Sequence, residues 1–178
     1  MNRIRLKDKE FELYIPETHI RDAVRTMAAR LKADLKGCNP LFVCILNGAF
    51  MFASDLLKEI NNDWEIVFAR YASYTGTRSS AVLQEILPIQ ADVKGRTLVL
   101  VEDVIDSGFT LHTLVNRLRS QGVAGVKLAA LLLKPDALTC ELEPDYVGMR
   151  IPNDFVIGYG MDYDGLGRAL RDIYKIAP

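Results

Sequence analysis

The chain has 178 residues, 49% hydrophobic and 25% charged, enough for one domain with a full apolar core. Its 22 basic and 23 acidic side chains leave a net charge of -1 at pH 7, which supplies no basic field for general nucleic-acid binding. Three cysteines and two histidines, all scattered along the chain, exclude a disulfide framework and argue against a zinc site.

The opening MNRIRLKDKEFELYI has no apolar leader core, and no run approaches the ~18 apolar residues that span a bilayer. The expectation is a reduced, cytoplasmic, soluble protein. FELYI reads as a short strand. In the following PETHIRDAVRTMAARLKADLKG, Pro16 suits the first helical position and Gly37 the C-terminal stop. Ile20, Val24, Met27, Leu31 and Leu35 form one apolar stripe of that helix. LFVCIL is a continuous apolar run, expected as a strand buried on both faces with Cys44 as a small core residue. It ends at Asn47-Gly48, and AFMFASDLLKEI reads as the next helix.

WEIVFARY has the composition of a strand, and ASYTGTRSSA after it is polar, with Tyr74 its only large apolar group. TLVLVEDV is a second buried strand, TLHTLVNRLRSQG a helix closed by Gly122, and VKLAALLLK a third buried strand. Short β-like pieces around Pro152 and a mixed tail complete the chain. No repeat or linker divides it, so one domain, residues 1–178, is expected. Alternating strands and helices with continuously apolar strands imply a doubly wound α/β fold with a mostly parallel sheet. Ligands in such folds bind beyond the carboxyl ends of the strands.

Three strand ends carry polar groups: Leu46-Asn47-Gly48, the stretch from Glu102 to Thr110, and Lys134. In the second, DSGFT precedes a helix, and its free N–H groups with Ser107, Gly108 and Thr110 make a cradle for a phosphate monoester. Just upstream, Glu102 and Asp103 offer hard oxygens suited to a vicinal diol or a hydrated Mg²⁺. Phosphate, diol and metal together describe a ribose 5-phosphate unit. Helix capping would account for Asp106 or Ser107 but leaves Glu102 and Asp103 unexplained. Taken alone, Asn47-Gly48 also reads as a plain turn, Lys134 equally as a snorkelling surface lysine, and Phe155 as core.

VLVEDVIDSGFTL resembles the signature of the type I phosphoribosyltransferases: four hydrophobics, two acids, a spacer, then D-[ST]-G-x-T. LNGAF, ASYTGT, LLLK and PNDFVIGYGMDYDGLGR are similar to the first loop, mobile loop, purine lysine strand and base-binding hood of its hypoxanthine-guanine branch. The resemblance implies the family's α/β fold, with a hood from about 1–15 and 145–178. It also implies transfer of ribose 5-phosphate from phosphoribosyl pyrophosphate to N9 of a 6-oxopurine in purine salvage, with Mg²⁺ as cofactor.

Residue by residue, it implies that Glu102 and Asp103 serve the ribose hydroxyls and metal, and that Asp106 is the catalytic acid facing N7. Ile105 borders that acid, while Ser107, Gly108, Phe109 and Thr110 hold the 5′-phosphate, Phe109 through its backbone alone. Leu46, Asn47 and Gly48 resemble the pyrophosphate loop, with a cis peptide between the first two. Lys134 would donate to O6, Phe155 stack on the base, and Val156 read its edge through backbone. Asp162 is similar to the ligand of a second Mg²⁺, and Arg168 to a cation on pyrophosphate. The ASYTGT stretch would be a lid that shields an oxocarbenium-like centre from water, with Ser73 and Tyr74 touching pyrophosphate when it closes. Asn47 and Asp154 stand where many relatives have lysine. A homodimer or homotetramer is the family habit, with no nucleic acid or membrane partner. Guanine or xanthine preference, a nucleotide-sensing regulator and a phosphoacceptor receiver domain are the competing readings.

Overall fold

The computed structural model describes residues 3–74 and 82–178. The chain opens with β1 (Arg3–Leu6) and β2 (Lys9–Ile15), followed by α1 (Glu17–Asp34). The central part runs β3 (Leu41–Ile45), α2 (Phe50–Ile60), β4 (Glu65–Tyr74), β5 (Val82–Leu87), β6 (Thr97–Ile105), α3 (Phe109–Ser120) and β7 (Gly125–Leu133). A single 3₁₀ turn at Pro135–Ala137 leads to β8 (Tyr146–Arg150), β9 (Val156–Ile157) and β10 (Ile173–Ile176).

The large sheet has the order β5-β4-β3-β6-β7-β8, parallel throughout except for antiparallel β5. Side chains alternate across a strand, so a strand covered on both faces must be apolar at every position. In β3 and β6 this is visible residue by residue. Phe42, Cys44, Val99 and Val101 pack with Ile20, Val24 and Leu31 of α1 and with Phe52 and Leu56 of α2. Leu41, Val43, Leu98 and Leu100 pack with Leu111, Leu114 and Leu118 of α3. The expected doubly wound sheet is what forms, with α1 and α2 on one face and α3 on the other.

A second, antiparallel sheet of order β1-β2-β10-β9 sits over Phe11, Ile157 and Tyr174. Its strands come from residues 3–15 and from the tail, and we call this sheet the hood. The hood was expected to begin near 145, but Tyr146–Arg150 pairs in parallel with β7 and belongs to the large sheet. Tyr159, whose hydroxyl donates to Asp55 on α2 at 2.7 Å, ties the hood to the main body.

The parallel strands β3, β6 and β7 all end at one edge, which brings the three polar strand ends together. Cys44 is fully buried in β3, and burial pushes its thiol up to about 12, whereas Cys38 is exposed. A thiol reagent is therefore expected to modify Cys38 quickly in the native protein and Cys44 only after unfolding, as measured by peptide mapping. Among the described residues, no helix is long and apolar enough to cross a membrane.

Candidate active site

β3 ends at Ile45, and one residue further on the Leu46-Asn47 peptide is cis. The Leu46 N–H donates to the Ala69 carbonyl of β4 at 2.8 Å, which fixes the loop against the sheet before α2 begins. Gly48 is squeezed from two sides. A Cβ added there would lie 1.8 Å from Oδ2 of Asp103, and a Cβ added at Gly160 of the hood would lie 2.0 Å from the Gly48 carbonyl oxygen. The loop is thus a thin plate between the end of β6 and the hood.

At the end of β6, Asp103 is buried and Glu102 half-buried. The Asp103 N–H donates to Oε1 of Glu102 at 3.3 Å. Burial, and then the charge of Asp103 beside it, push the Glu102 carboxyl well above the usual carboxylate range. Two adjacent carboxylates crowded in this way gain by sharing a cation. Among the described residues, no cluster of three or more His, Cys, Asp or Glu forms an all-protein cage. A pair of adjacent hard oxygens fits Mg²⁺, which keeps waters and takes substrate oxygens as its remaining ligands.

The next acid, Asp106, has a 55% exposed side chain and accepts from the Lys134 ammonium at 2.7 Å. Lys134 itself is only 5% exposed. That excludes a snorkelling lysine: its charge is held inside the cleft, with the carboxylate as its partner. Gly108 then turns the chain at φ +75° into α3, whose first turn has no side-chain cap. Ser107, Gly108 and Thr110 line the cleft, as does Ile105, but Phe109 is not among the lining residues.

Across the cleft stand Phe155 and Val156. Phe155 is 45% exposed, with its ring 6.3 Å from Phe11 and edge-on to Tyr163 at 6.0 Å. Arg168 donates to Oδ1 of Asp162 at 2.7 Å and to the Gly160 carbonyl at 2.7 Å. Asp162 also accepts from the Gly165 N–H, so both its oxygens are already engaged within the hood.

The three strand ends and the hood meet at one cleft of about 520 Å³. Of the residues expected from the sequence, Leu46, Asn47, Gly48, Glu102, Asp103, Asp106, Lys134, Asp162 and Arg168 line it. Asp154 does not, lying 3.9 Å from Lys175 instead. Ser73 and Tyr74 end β4, but their side chains and residues 75–81 of the expected lid lie outside the described residues. Arg70, Ile86 and Met161 also line the cleft and had no assigned role. Arg70 lies within β4, four residues before its end, whereas Lys134 directly follows β7.

Residues 16–164 match the phosphoribosyl transferase domain. The chain is 40% identical over 168 residues to the bifunctional protein TilS/HprT of Listeria monocytogenes, covering 94% of this chain but 26% of that protein, about a quarter of its length. It is 40% identical to the hypoxanthine-guanine phosphoribosyltransferase of Lactococcus lactis, over 96% of this chain and 94% of that one. A hypoxanthine phosphoribosyltransferase of Staphylococcus aureus superimposes with a TM-score of 0.88 at 32% identity, over 94% and 91% of the two chains.

Proposed function

The chain belongs to the phosphoribosyl transferase family, and on that premise we propose that it transfers the 5-phosphoribosyl group of phosphoribosyl pyrophosphate to N9 of hypoxanthine and guanine, giving IMP or GMP and pyrophosphate in purine salvage. The observation that carries this is the cleft itself. It holds the pair of buried Lys134 and exposed Asp106 within the same 520 Å³ as the SGFT turn and the two strand-end acids.

A 6-oxopurine presents O6 and N7 side by side on one edge. Lys134 can donate to O6 while Asp106 accepts the proton of N7–H, which matches both atoms at once. Adenine offers an amino group at the O6 position and would leave a buried ammonium facing another donor, which costs much of the binding energy. Phe155 supplies a stacking face, and the Val156 backbone supplies an edge contact. As N9 attacks C1′, Asp106 takes the N7 proton, so negative charge builds on the base while positive charge builds on the ribose. The SGFT turn holds the 5′-phosphate, while Leu46, Asn47, Gly48 and Arg168 hold the departing pyrophosphate.

Glu102 and Asp103 would hold Mg²⁺ together with the ribose hydroxyls. Asp162 would hold a second ion through water, because its own oxygens already bind Arg168 and Gly165. When bound, the metal supplies electrostatic stabilisation of the leaving group. The three free cysteines suit a reducing cytoplasm. Phe50, Ile66 and Phe68 stand exposed, apolar side chains whose exposure supports a homo-oligomer.

The test is an assay with phosphoribosyl pyrophosphate, Mg²⁺ and each purine in turn. Hypoxanthine and guanine should react, adenine should not, and chelation should abolish turnover. Turnover of adenine at a rate comparable to hypoxanthine would refute the assignment of the Lys134–Asp106 pair. Xanthine as the best substrate would shift the proposal to another base within the same fold.

A further inference from the structure

The phosphate turn does not hold its own shape. α3 has no side-chain cap at its start, and the only contact inside the turn is a long one from the Phe109 N–H to Ser107 Oγ at 3.4 Å. The support comes from the segment that follows β7. Lys134 N–H donates to the Ile105 carbonyl at 3.0 Å, and its ammonium binds Asp106 at 2.7 Å. Five residues on, beyond the 3₁₀ turn, the Thr139 N–H donates to the Ser107 carbonyl at 3.0 Å and the Thr139 hydroxyl to the same oxygen at 3.1 Å. Cys140 Sγ approaches that oxygen at 3.7 Å. Three consecutive residues of the signature are therefore held by one neighbouring segment.

This has a directional consequence. The Ser107-Gly108 peptide is trans, so its C=O and N–H point in opposite directions. With the carbonyl drawn toward Thr139, the Gly108 N–H is turned the other way, toward the cleft that Ser107, Gly108 and Thr110 line and Thr139 does not. Gly108 is confined from behind as well: a Cβ there would lie 3.0–3.2 Å from Leu138, Cys140 and Leu142.

We propose that Thr139 is a positioning residue, which orients the Ser107-Gly108 peptide so that its N–H is presented to the 5′-phosphate of the substrate. The role rests on the phosphate-cradle reading of the SGFT turn and goes beyond it, because it places part of the phosphate specificity outside the signature. Thr139 is exposed, and its side chain contributes nothing to the core, so its replacement leaves the fold intact.

The test compares IMP with inosine, which lacks the phosphate, on the unmodified chain and on Thr139→Val and Thr139→Ser. The valine variant keeps the shape and backbone donor but loses the hydroxyl. It should weaken IMP binding and raise KM for phosphoribosyl pyrophosphate by about threefold to tenfold, the range for one lost hydrogen bond, with inosine affinity and KM for hypoxanthine unmoved. The serine variant should restore both. Equal losses for IMP and inosine, no loss in the valine variant, or no recovery with serine would each overturn the role of Thr139 while leaving the cradle standing. If the unmodified chain failed to prefer IMP over inosine, the cradle reading would fall, and the role of Thr139 with it.

Discussion

Asp106→Asn is expected to lower kcat for hypoxanthine by about 10²- to 10⁴-fold, the range for loss of a positioned acid–base group, with a smaller change in KM. Asparagine has the same shape and can still accept a hydrogen bond from Lys134 at the 2.7 Å now made to Oδ2. What it lacks is the ability to take the N7 proton as N9 attacks. Binding is mostly retained while the transition state is not. The cost to stability should stay near 1 kcal/mol, because the Asp106 side chain is 55% exposed and solvent screens the lost charge.

A chemical counterpart separates this role from general damage to the site. In 7-deazahypoxanthine, carbon replaces N7 and no proton is there to exchange. The unmodified chain should be slow with this base, and Asp106→Asn should add little further loss, since both changes remove the same step. Additive losses, or an Asp106→Asn variant within threefold of the unmodified chain on hypoxanthine, would rule out proton exchange by Asp106.

How much of this was legible beforehand follows from the range over which each feature is determined. LFVCIL, TLVLVEDV and VKLAALLLK announce themselves because a strand covered on both faces must be apolar throughout, and that pattern is local. VLQEIL went unread as β5 because an edge strand alternates over only six residues, and seven residues of chain separate it from its partner β4. β10 was hidden in the tail for a similar reason: Ile173 and Tyr174 are buried only by contact with β2 and β9.

The site shows the same division. The acids, the SGFT turn and Lys134 are visible as polar residues where apolar strands stop. Whether Lys134 faces solvent or substrate is not a local property. It is decided by Asp106, 28 positions away, and by the hood closing over the strand end. Arg70 escaped notice because it sits inside β4, where nothing local says which way its side chain faces, and Thr139 because a single hydroxyl in a loop has no periodicity to reveal it. The squeeze on Gly48 is likewise set by residues far away in the chain, Asp103 and Gly160.

That squeeze gives the second large effect. Gly48→Ala is expected to reduce kcat/KM by about 10²-fold or more. The added methyl would lie 1.8 Å from Oδ2 and 2.6 Å from Cγ of Asp103, far inside contact distance, so one of the two must move. Asp103 is only 8% exposed and has little room to rotate away. The loop cannot easily retreat either, because the Gly48 carbonyl already lies against Gly160. Any relief therefore displaces the pyrophosphate loop or the ribose carboxylate, and a shift near 1 Å at a reacting centre is enough for about a 10²-fold loss. Overpacking at such a site should also cost about 1–3 kcal/mol of stability, measurable by denaturant unfolding. Gly125→Ala is the matched control: its Cβ would meet only Thr97 Oγ1, at an ordinary 3.9 Å, and the start of β7 lies at the opposite end of the strands from the cleft. It should keep wild-type turnover. If Gly48→Ala also kept turnover within threefold, the close stacking of loop, acid and hood would not be what holds the pyrophosphate end of the site in place.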